Sequence, residues 1–421
     1  MMQTNPSISK ISIFYHYSLA VCLFIIGAYS PWILYGLLPF LLIIAYGLYR
    51  GDFTFSPQPY LYGWLILYVC YAISACVYWD PILSPRRLEY KLSFLIFPLL
   101  FSFKPNFKIK LNLVIVSFGI GILAASFAGI IKSFLLALKE PVHLSQFLTS
   151  NICINHPSYY AAFATIALFG LLLGVKYYYC IPENIMVYPY SGFILIMILL
   201  SISLAAISFL VISCLTFVLY LVIAKRKIRL AFIAVFIFSL LTLVALQNRF
   251  IRDDFTSSFN SLTSFLFNHK EYSSDRDKIN HGDEVRLIMW TVTVQELIKH
   301  PMGVGTTRSD ATLSEGLNSL GYGDLAIKDI NGEIKYNPHN QYLQTGLELG
   351  IIPMLCMMIY FLLLIYHGIK SKNIWLSVIV LILTYNCLFE SILQRQSGIV
   401  GFTFLTCLLL LYSKQQNAVS G

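Results

Sequence analysis

The 421-residue chain is 57% hydrophobic and only 12% charged, with a formal net charge of +9. Charged residues stand at about half their usual share, which excludes an ordinary soluble domain. The positive balance does not point to nucleic acid, because much of it sits in short clusters between apolar runs, as positive-inside topology requires.

Apolar runs of membrane-spanning length recur from end to end. Lys10 precedes the first, and no small-residue cleavage site follows, so that run reads as a retained span and not a signal peptide. In chain order the expected spans are 11–29, 32–49, 60–79, 88–103, 111–138, 157–179, 189–204, 206–224, 229–247, 342–367, 373–390 and 396–413. The stretch from Ser191 to Ala224 carries no charge. As one helix it would be about 50 Å long against a hydrocarbon core of about 30 Å. It is therefore divided near Ser203–Ser208.

With the N-terminus inside, the cytoplasmic loops receive Lys104/Lys108/Lys110, Lys225/Arg226/Lys227/Arg229, Lys370/Lys372 and Lys414. The outer side keeps only Arg86, Arg87, Lys91, Lys139 and Arg395 apart from one large segment, and topology does not explain those cations. The chain thus divides into spans over 1–247, an outer insertion over 248–341, and three spans with a cytoplasmic tail over 342–421. Within the insertion, Phe255, Phe259, Leu262 and Leu266 recur at helical spacing, as in a helix lying on a membrane surface. Glu284–Lys299 reads as a second helix with Val285, Ile288, Met289 and Val292 on one stripe. His300-Pro301 ends it, Gly303 and Gly305 turn the chain, and a glycine-rich loop is expected from Ser314 to Asn337.

The nine cysteines (Cys22, Cys70, Cys76, Cys153, Cys180, Cys214, Cys356, Cys387, Cys407) lie mostly inside apolar runs and form no CxxC pair. They read as small buried hydrophobes, with neither a zinc site nor a disulfide framework. Asp275-Arg276-Asp277 matches a metal-binding DxD spacing. It lies in a charge-mixed stretch that reads as solvated loop. No metal or cofactor is expected.

The stretch "NPHNQYLQTGLELG", 337–350, is an unusual way to enter a membrane. Asn337 suits a helix N-cap and Pro338 the first helical position, which puts His339 and Asn340 in the first turn. A helix N-terminus attracts phosphate, and histidine titrates near neutrality as a general base must. Gln341, Gln344, Thr345 and Glu348 share one face below it; Gln344 and Thr345 read as packing, while an intramembrane carboxylate such as Glu348 is a functional candidate. Arg286 and Arg308 stand beside turns in the insertion, where a guanidinium could hold phosphate or simply pair with Asp283, Glu284 or Asp310. Arg86 and Arg87 crowd another span end, to meet lipid headgroups or a substrate's phosphates. His156 and Tyr159 in "NHPSYY" suit capping and an aromatic belt.

"RLIMWTVTVQELIKHPMGVGTTRSD" followed by "NPHNQYLQTGLELGI" resembles the C-terminal half of the O-antigen ligase and polymerase superfamily. The shared signals are an Arg-x-x-x-Trp helix, a Pro-x-Gly-x-Gly turn, and a His-Asn-x-Tyr-Leu segment leading into Glu-x-Gly. "RRLEYKLSFLIFPLLF", "HPSYYAAF" and "FESILQRQSGIVGF" resemble the versions in Bacteroidetes-type ligases. The resemblance runs from about residue 80 onward, and its weight lies in the order and spacing of motifs that are individually unspecific.

It implies an all-α polytopic membrane protein of about twelve transmembrane helices. A large, mainly helical periplasmic insertion precedes the third-last helix, in a GT-C-like glycosyltransferase of the bacterial inner membrane with both termini cytoplasmic. The implied activity is inverting, metal-independent transfer of a glycan from undecaprenyl diphosphate to lipid A–core, without a cofactor. His339 becomes the base or positioner, Arg286 and Arg308 the diphosphate clamp, and Asn340, Tyr342, Gln344, Glu348, Arg86, Arg87 and Arg395 the surrounding substrate-binding residues. Where the superfamily carries Ser-Arg or Ser-Lys at the break between two short spans, this chain reads "LLSISLAAIS", with Leu204 at the cation's place. Either Arg86, Arg87 or Arg395 supplies that charge, or the donor is bound differently. An O-antigen polymerase, acting on another glycan, and a protein O-oligosaccharyltransferase, acting on a Ser or Thr, share the same signals. A lipid-linked-sugar transporter would need several ionisable groups near the midplane and repeated halves; only Glu348 and Lys132 come near that.

Overall fold

The computed structural model describes residues 10–139, 152–154, 156–183, 186–223, 282–326 and 337–420, with scattered positions between 225 and 263. The span expected at 229–247 and the surface helix expected from Phe255 to Leu266 lie largely outside the described residues, and the DxD at Asp275–Asp277 lies wholly outside them.

The protein is a bundle of apolar helices. α1 (Lys10–Tyr29) and α2 (Ile33–Tyr49) form an opening hairpin, followed by β1 (Phe53–Phe55) and α3 (Tyr62–Val77). The expected span 88–103 is instead two short helices, α4 (Leu83–Lys91) and α5 (Ser93–Leu100), joined through Leu92, which keeps helical dihedrals. The chain leaves the helix before residue 103 because β2 (Phe103–Pro105) pairs antiparallel with β1, Thr54 opposite Lys104. Then come α6 (Leu111–Lys139), α7 (Pro157–Lys176), α8 (Val187–Leu200) and α9 (Leu204–Ile223). The uncharged stretch is thus divided, as length required, at Ser201–Ser203, where Ile202 takes a left-handed φ of 48°. After the insertion helices α10 (Gly282–Lys299) and α11 (Ser309–Ser319) come α12 (Gln341–Leu349), α13 (Ile351–Lys370), α14 (Ile374–Asn386) and α15 (Gln396–Ser420).

Among the described residues seven helical stretches are long and apolar enough to cross a membrane. They are Lys10–Tyr49, Pro59–Val77, Leu111–Lys139, Pro157–Lys176, Leu204–Ile223, Ile351–Lys370 and Gln396–Gln416; Val187–Leu200 and Ile374–Asn386 are shorter apolar helices. The outward faces are apolar too: Ile66, Val69, Ile73 and Val77 are all exposed along α3, as a lipid-facing stripe would be.

Apolar burial between helices gains little in lipid, so packing and polar pins must hold such a bundle. Trp64 is fully buried, stacks on Phe94 at 5.1 Å, and donates Nε1–H to Thr406 Oγ1 at 3.2 Å. Trp375 packs where Gly170 leaves space, and its Nε1–H meets the carbonyl of Ile166 at 3.3 Å.

The polar segments gather at two ends. At one, Ile109 N donates to Gln415 Oε1, Lys110 N to His16 Nε2, and Lys414 Nζ to the Ser56 carbonyl, so the segments expected to be cytoplasmic meet each other. At the other, Arg87 pairs with Asp310 at 2.6 Å and Lys91 bonds Gln394, joining segments expected to be outside.

The insertion helices form a small core with Leu347 of the later apolar run: Val285, Ile288, Met289, Val292, Val304, Leu313, Leu317 and Tyr322 pack with it. The expected stripe of α10 is therefore its buried face, and Pro301 does end the helix. The loop expected from Ser314 is instead helical to Ser319. Leu313 and Leu317, one turn apart, face Val292, and Gly316 stands against Val292, so that glycine serves close packing and not a turn.

The long apolar run after Asn340 also departs from expectation. It is not one span over 342–367. Gly350 takes φ 98° and ψ 172° and breaks it into α12, only nine residues long, and the spanning α13. The turn after α10 fills the break: Val304 N donates to Leu347 O at 2.8 Å, and Ile351 N to Pro301 O at 2.9 Å.

Candidate active site

The start of α12 is built differently from its expected form. Its N-cap is Asn340, not Asn337: Asn340 Oδ1 accepts from Leu343 N at 3.1 Å, while Asn340 Nδ2 donates to the Leu388 carbonyl at 3.1 Å. That second bond explains the choice, since it ties the cap to the α14–α15 loop. Asn337 caps a tighter turn, accepting from His339 N at 2.8 Å. His339 therefore lies before the helix, not in its first turn, with a left-handed φ of 45°.

The ring meets Glu390. His339 Nδ1 lies 3.1 Å from Glu390 Oε2, Arg286 Nη2 donates to Glu390 Oε1 at 3.1 Å, and Ser158 Oγ donates to the same oxygen at 3.0 Å. One carboxylate thus collects α10, the start of α7 and the segment before α12. Glu390 itself was not singled out from the sequence. Its signal was present: a carboxylate at the outer end of an apolar run carries the same presumption of function as Glu348.

Glu390 is 7% exposed by its side chain, against 22% for His339 and 25% for Arg286, so the acid is the buried member and the two bases are its openings. Burial alone would push its pKa up. The His339 hydrogen bond, the His339 charge, the Arg286 guanidinium and His156 outweigh burial and hold it down at about 2. Nearby, the exposed His156 precedes α7 at its N-cap position. Tyr159, expected in an aromatic belt, is buried, its ring 5.8 Å from that of His156.

The remaining expected residues fall into two groups. Arg308 is exposed and lies over the Tyr78 ring at 5.1 Å, at the end of α3, next to the Arg87–Asp310 pair. Arg86 donates to Tyr90 Oη at 2.9 Å, and Arg395 is exposed at the foot of α15. Geometry brings Arg286 and His339 together through Glu390, and groups Arg308 with the α3–α4 end. Asn340, Tyr342, Gln344 and Glu348 are all buried and turned inward. Tyr342 Oη donates to the Thr384 carbonyl at 2.9 Å, and Gln344 Nε2 to Glu348 Oε1 at 2.7 Å. The Leu204 position opens α9, two residues after the left-handed Ile202.

An ionised, buried acid that fixes one ring nitrogen of a histidine leaves the other nitrogen to exchange a proton, and it steadies the imidazolium that results. The guanidinium on the same acid is suited to an anionic leaving group. This arrangement can deprotonate a hydroxyl beside a departing phosphate.

No curated protein matches this chain. The O-antigen ligase family model matches residues 190–358. The match takes in α10 with Arg286, the turn at Gly303–Gly305, and His339 with α12, but stops short of Glu390. Through that segment, about two fifths of its length, the chain is similar to the O-antigen ligase family.

Proposed function

We propose that the protein is a lipid-linked-oligosaccharide glycosyltransferase of the inner membrane, acting as an O-antigen ligase on its periplasmic side. The donor is a glycan on undecaprenyl diphosphate, and the acceptor is a hydroxyl of lipid A–core. The observation that carries this reading is Glu390 holding His339 and Arg286 at 3.1 Å each. The Lys-rich end described above is assigned to the cytoplasm by the positive-inside rule, which puts the Glu390 end outside.

In the proposed reaction the acceptor oxygen attacks the anomeric carbon from the face opposite the diphosphate. The new glycosidic bond forms as the carbon–oxygen bond to phosphate breaks, inverting the centre. The acceptor proton passes to His339 Nε2, because Nδ1–H is committed to Glu390. The electron pair leaves with undecaprenyl diphosphate, whose charge Arg286 stabilises; Arg308 serves the same anion from the Tyr78 side. Fixed cations at the leaving group supply the role a metal would otherwise take. Arg86 and Arg395 are assigned the charge that Leu204 lacks, whereas Arg87 is committed to Asp310.

The test is purified protein with undecaprenyl-diphosphate glycan and lipid A–core in the presence of EDTA, for wild type and His339→Ala. Transfer by wild type and its loss in a folded variant is the expected result. Undiminished transfer by the variant would remove the catalytic reading. A chromosomal deletion separates the relatives of this activity. Loss of all polymer on lipopolysaccharide marks a ligase, single-repeat caps mark a polymerase, and lighter glycoproteins with intact lipopolysaccharide mark a protein transferase.

A further inference from the structure

A second polar system lies beneath the candidate site, and the proposed chemistry does not use it. Lys91, at the C-terminal end of α4, is buried at 3% exposure, with its ammonium over the Tyr71 ring at 4.7 Å. Its Nζ donates to the Leu393 carbonyl and to Gln394 Oε1, the latter at 2.8 Å. Gln394 Nε2 donates at 2.9 Å to Glu348 Oε2, and Glu348 Oε1 accepts from Gln344 Nε2 at 2.7 Å. Ammonium and carboxylate are thus linked through one side-chain amide whose two ends match them: oxygen towards Lys91, nitrogen towards Glu348.

Burying an ammonium and a carboxylate costs several kcal/mol each, so this system needs a reason beyond filling space. Its position supplies one. Glu390 sits in the loop 387–395, and both feet of that loop are pinned to α12. Gln341 N donates to the Cys387 carbonyl at 2.8 Å on one side, and Leu393 N to Gln341 Oε1 at 2.7 Å on the other. Lys91 holds the second foot from the far side through the Leu393 carbonyl, and Glu348 holds it through Gln394. α12 begins at Gln341, with only its cap Asn340 between it and His339. The same relay therefore sets the loop that carries Glu390 against the helix that follows His339.

We propose that Lys91, Gln394 and Glu348 are positioning residues that keep the Glu390 carboxylate in register with His339 and Arg286; this rests on the glycosyltransferase reading above. It also gives Glu348, otherwise an unexplained carboxylate within an apolar segment, a definite task. The relay works through the direction of the Gln394 amide, so a charge swap tests it. Gln394→Glu places two carboxylates side by side on one ammonium. The double variant Glu348→Gln/Gln394→Glu exchanges the roles of the two positions, keeps every hydrogen bond of the relay, and restores the net charge.

The expected result for Gln394→Glu is a kcat lowered by about 10- to 100-fold, as sub-ångström to ångström misplacement of a catalytic group produces, with donor KM nearly unchanged. The double variant should regain most of the lost kcat. Hydrogen–deuterium exchange in nanodiscs gives a second readout that needs no turnover. Gln394→Glu should speed exchange of the 387–395 segment and of 339–343, and the double variant should slow both again. Unchanged kcat and exchange in Gln394→Glu would overturn the proposal, as would a double variant no better than the single one. If wild type transfers no glycan, the glycosyltransferase reading falls while exchange still decides whether the relay sets the loop.

Discussion

Glu390 Oε2 lies 3.1 Å from His339 Nδ1, although the two are 51 positions apart with α12, α13 and α14 between them. The pairing decides which nitrogen of the imidazole is available. An acid that stays ionised accepts Nδ1–H, so Nε2 carries the lone pair. Glu390→Gln keeps the shape but can present its amide N–H to the ring and reverse that tautomer. Transfer should fall by about 10²-fold or more in kcat, approaching the loss from His339→Ala, with donor KM little changed. Steady-state kinetics with purified variants would show it; a Glu390→Gln enzyme with full turnover would leave His339 acting without a partner.

The acid also couples stability to pH. Its folded pKa of about 2 lies below the ordinary carboxylate value. A depressed carboxylate stabilises the fold above the unfolded-state pKa of about 4.3, and that contribution disappears as pH falls through the folded value. Wild type should therefore melt above Glu390→Gln at about pH 5, and the margin should close between about pH 4 and pH 2. Thermal melts in detergent across that range decide it, and a margin that widened on acidification would contradict the assignment.

The break at Gly350 gives a stability prediction of its own. A Cβ there would stand 2.7 Å from the Met302 carbonyl carbon, and one at Gly303 would stand 2.6 Å from Gly350 N. Both glycines have positive φ, 98° and 81°. An alanine at either position adds left-handed strain of about 1–2 kcal/mol to a clash with backbone that cannot rotate away. Gly350→Ala and Gly303→Ala should each lower the melting temperature or abolish recovery from the membrane. Gly192→Ala, inside α8 with open space around it, should be neutral or slightly stabilising.

Local chemistry makes much of this legible in the sequence. The α10 stripe, its stop at Pro301 and the division of the uncharged stretch follow from periodicity, proline geometry and helix length, and each stands in the structure. What sequence could not decide were choices between equal local candidates. Asn337 and Asn340 are both good caps, and the winner is set by a carbonyl 48 residues away, at Leu388. Gly350 lies inside an apolar run, where hydropathy continues smoothly through a change of direction. Glu390 stands just past an apolar run, and nothing local to it shows that Arg286 and Ser158 reach its carboxylate.

The two arginines expected to clamp one diphosphate stand in different company, and that separation is measurable. Arg286 shares Glu390 with His339, whereas Arg308 lies on Tyr78. Residues that share a partner give non-additive losses, and residues without one add to within about 0.5 kcal/mol. In a double-mutant cycle on kcat/KM, Arg286→Ala with Glu390→Gln should therefore show coupling of about 1 kcal/mol or more. Arg308→Ala with Glu390→Gln should be additive, while still weakening donor use by itself. Equal coupling of both arginines to Glu390 would place Arg308 within the same charge cluster once substrate is bound, and would show that the α3–α4 end closes onto the Glu390 loop during turnover.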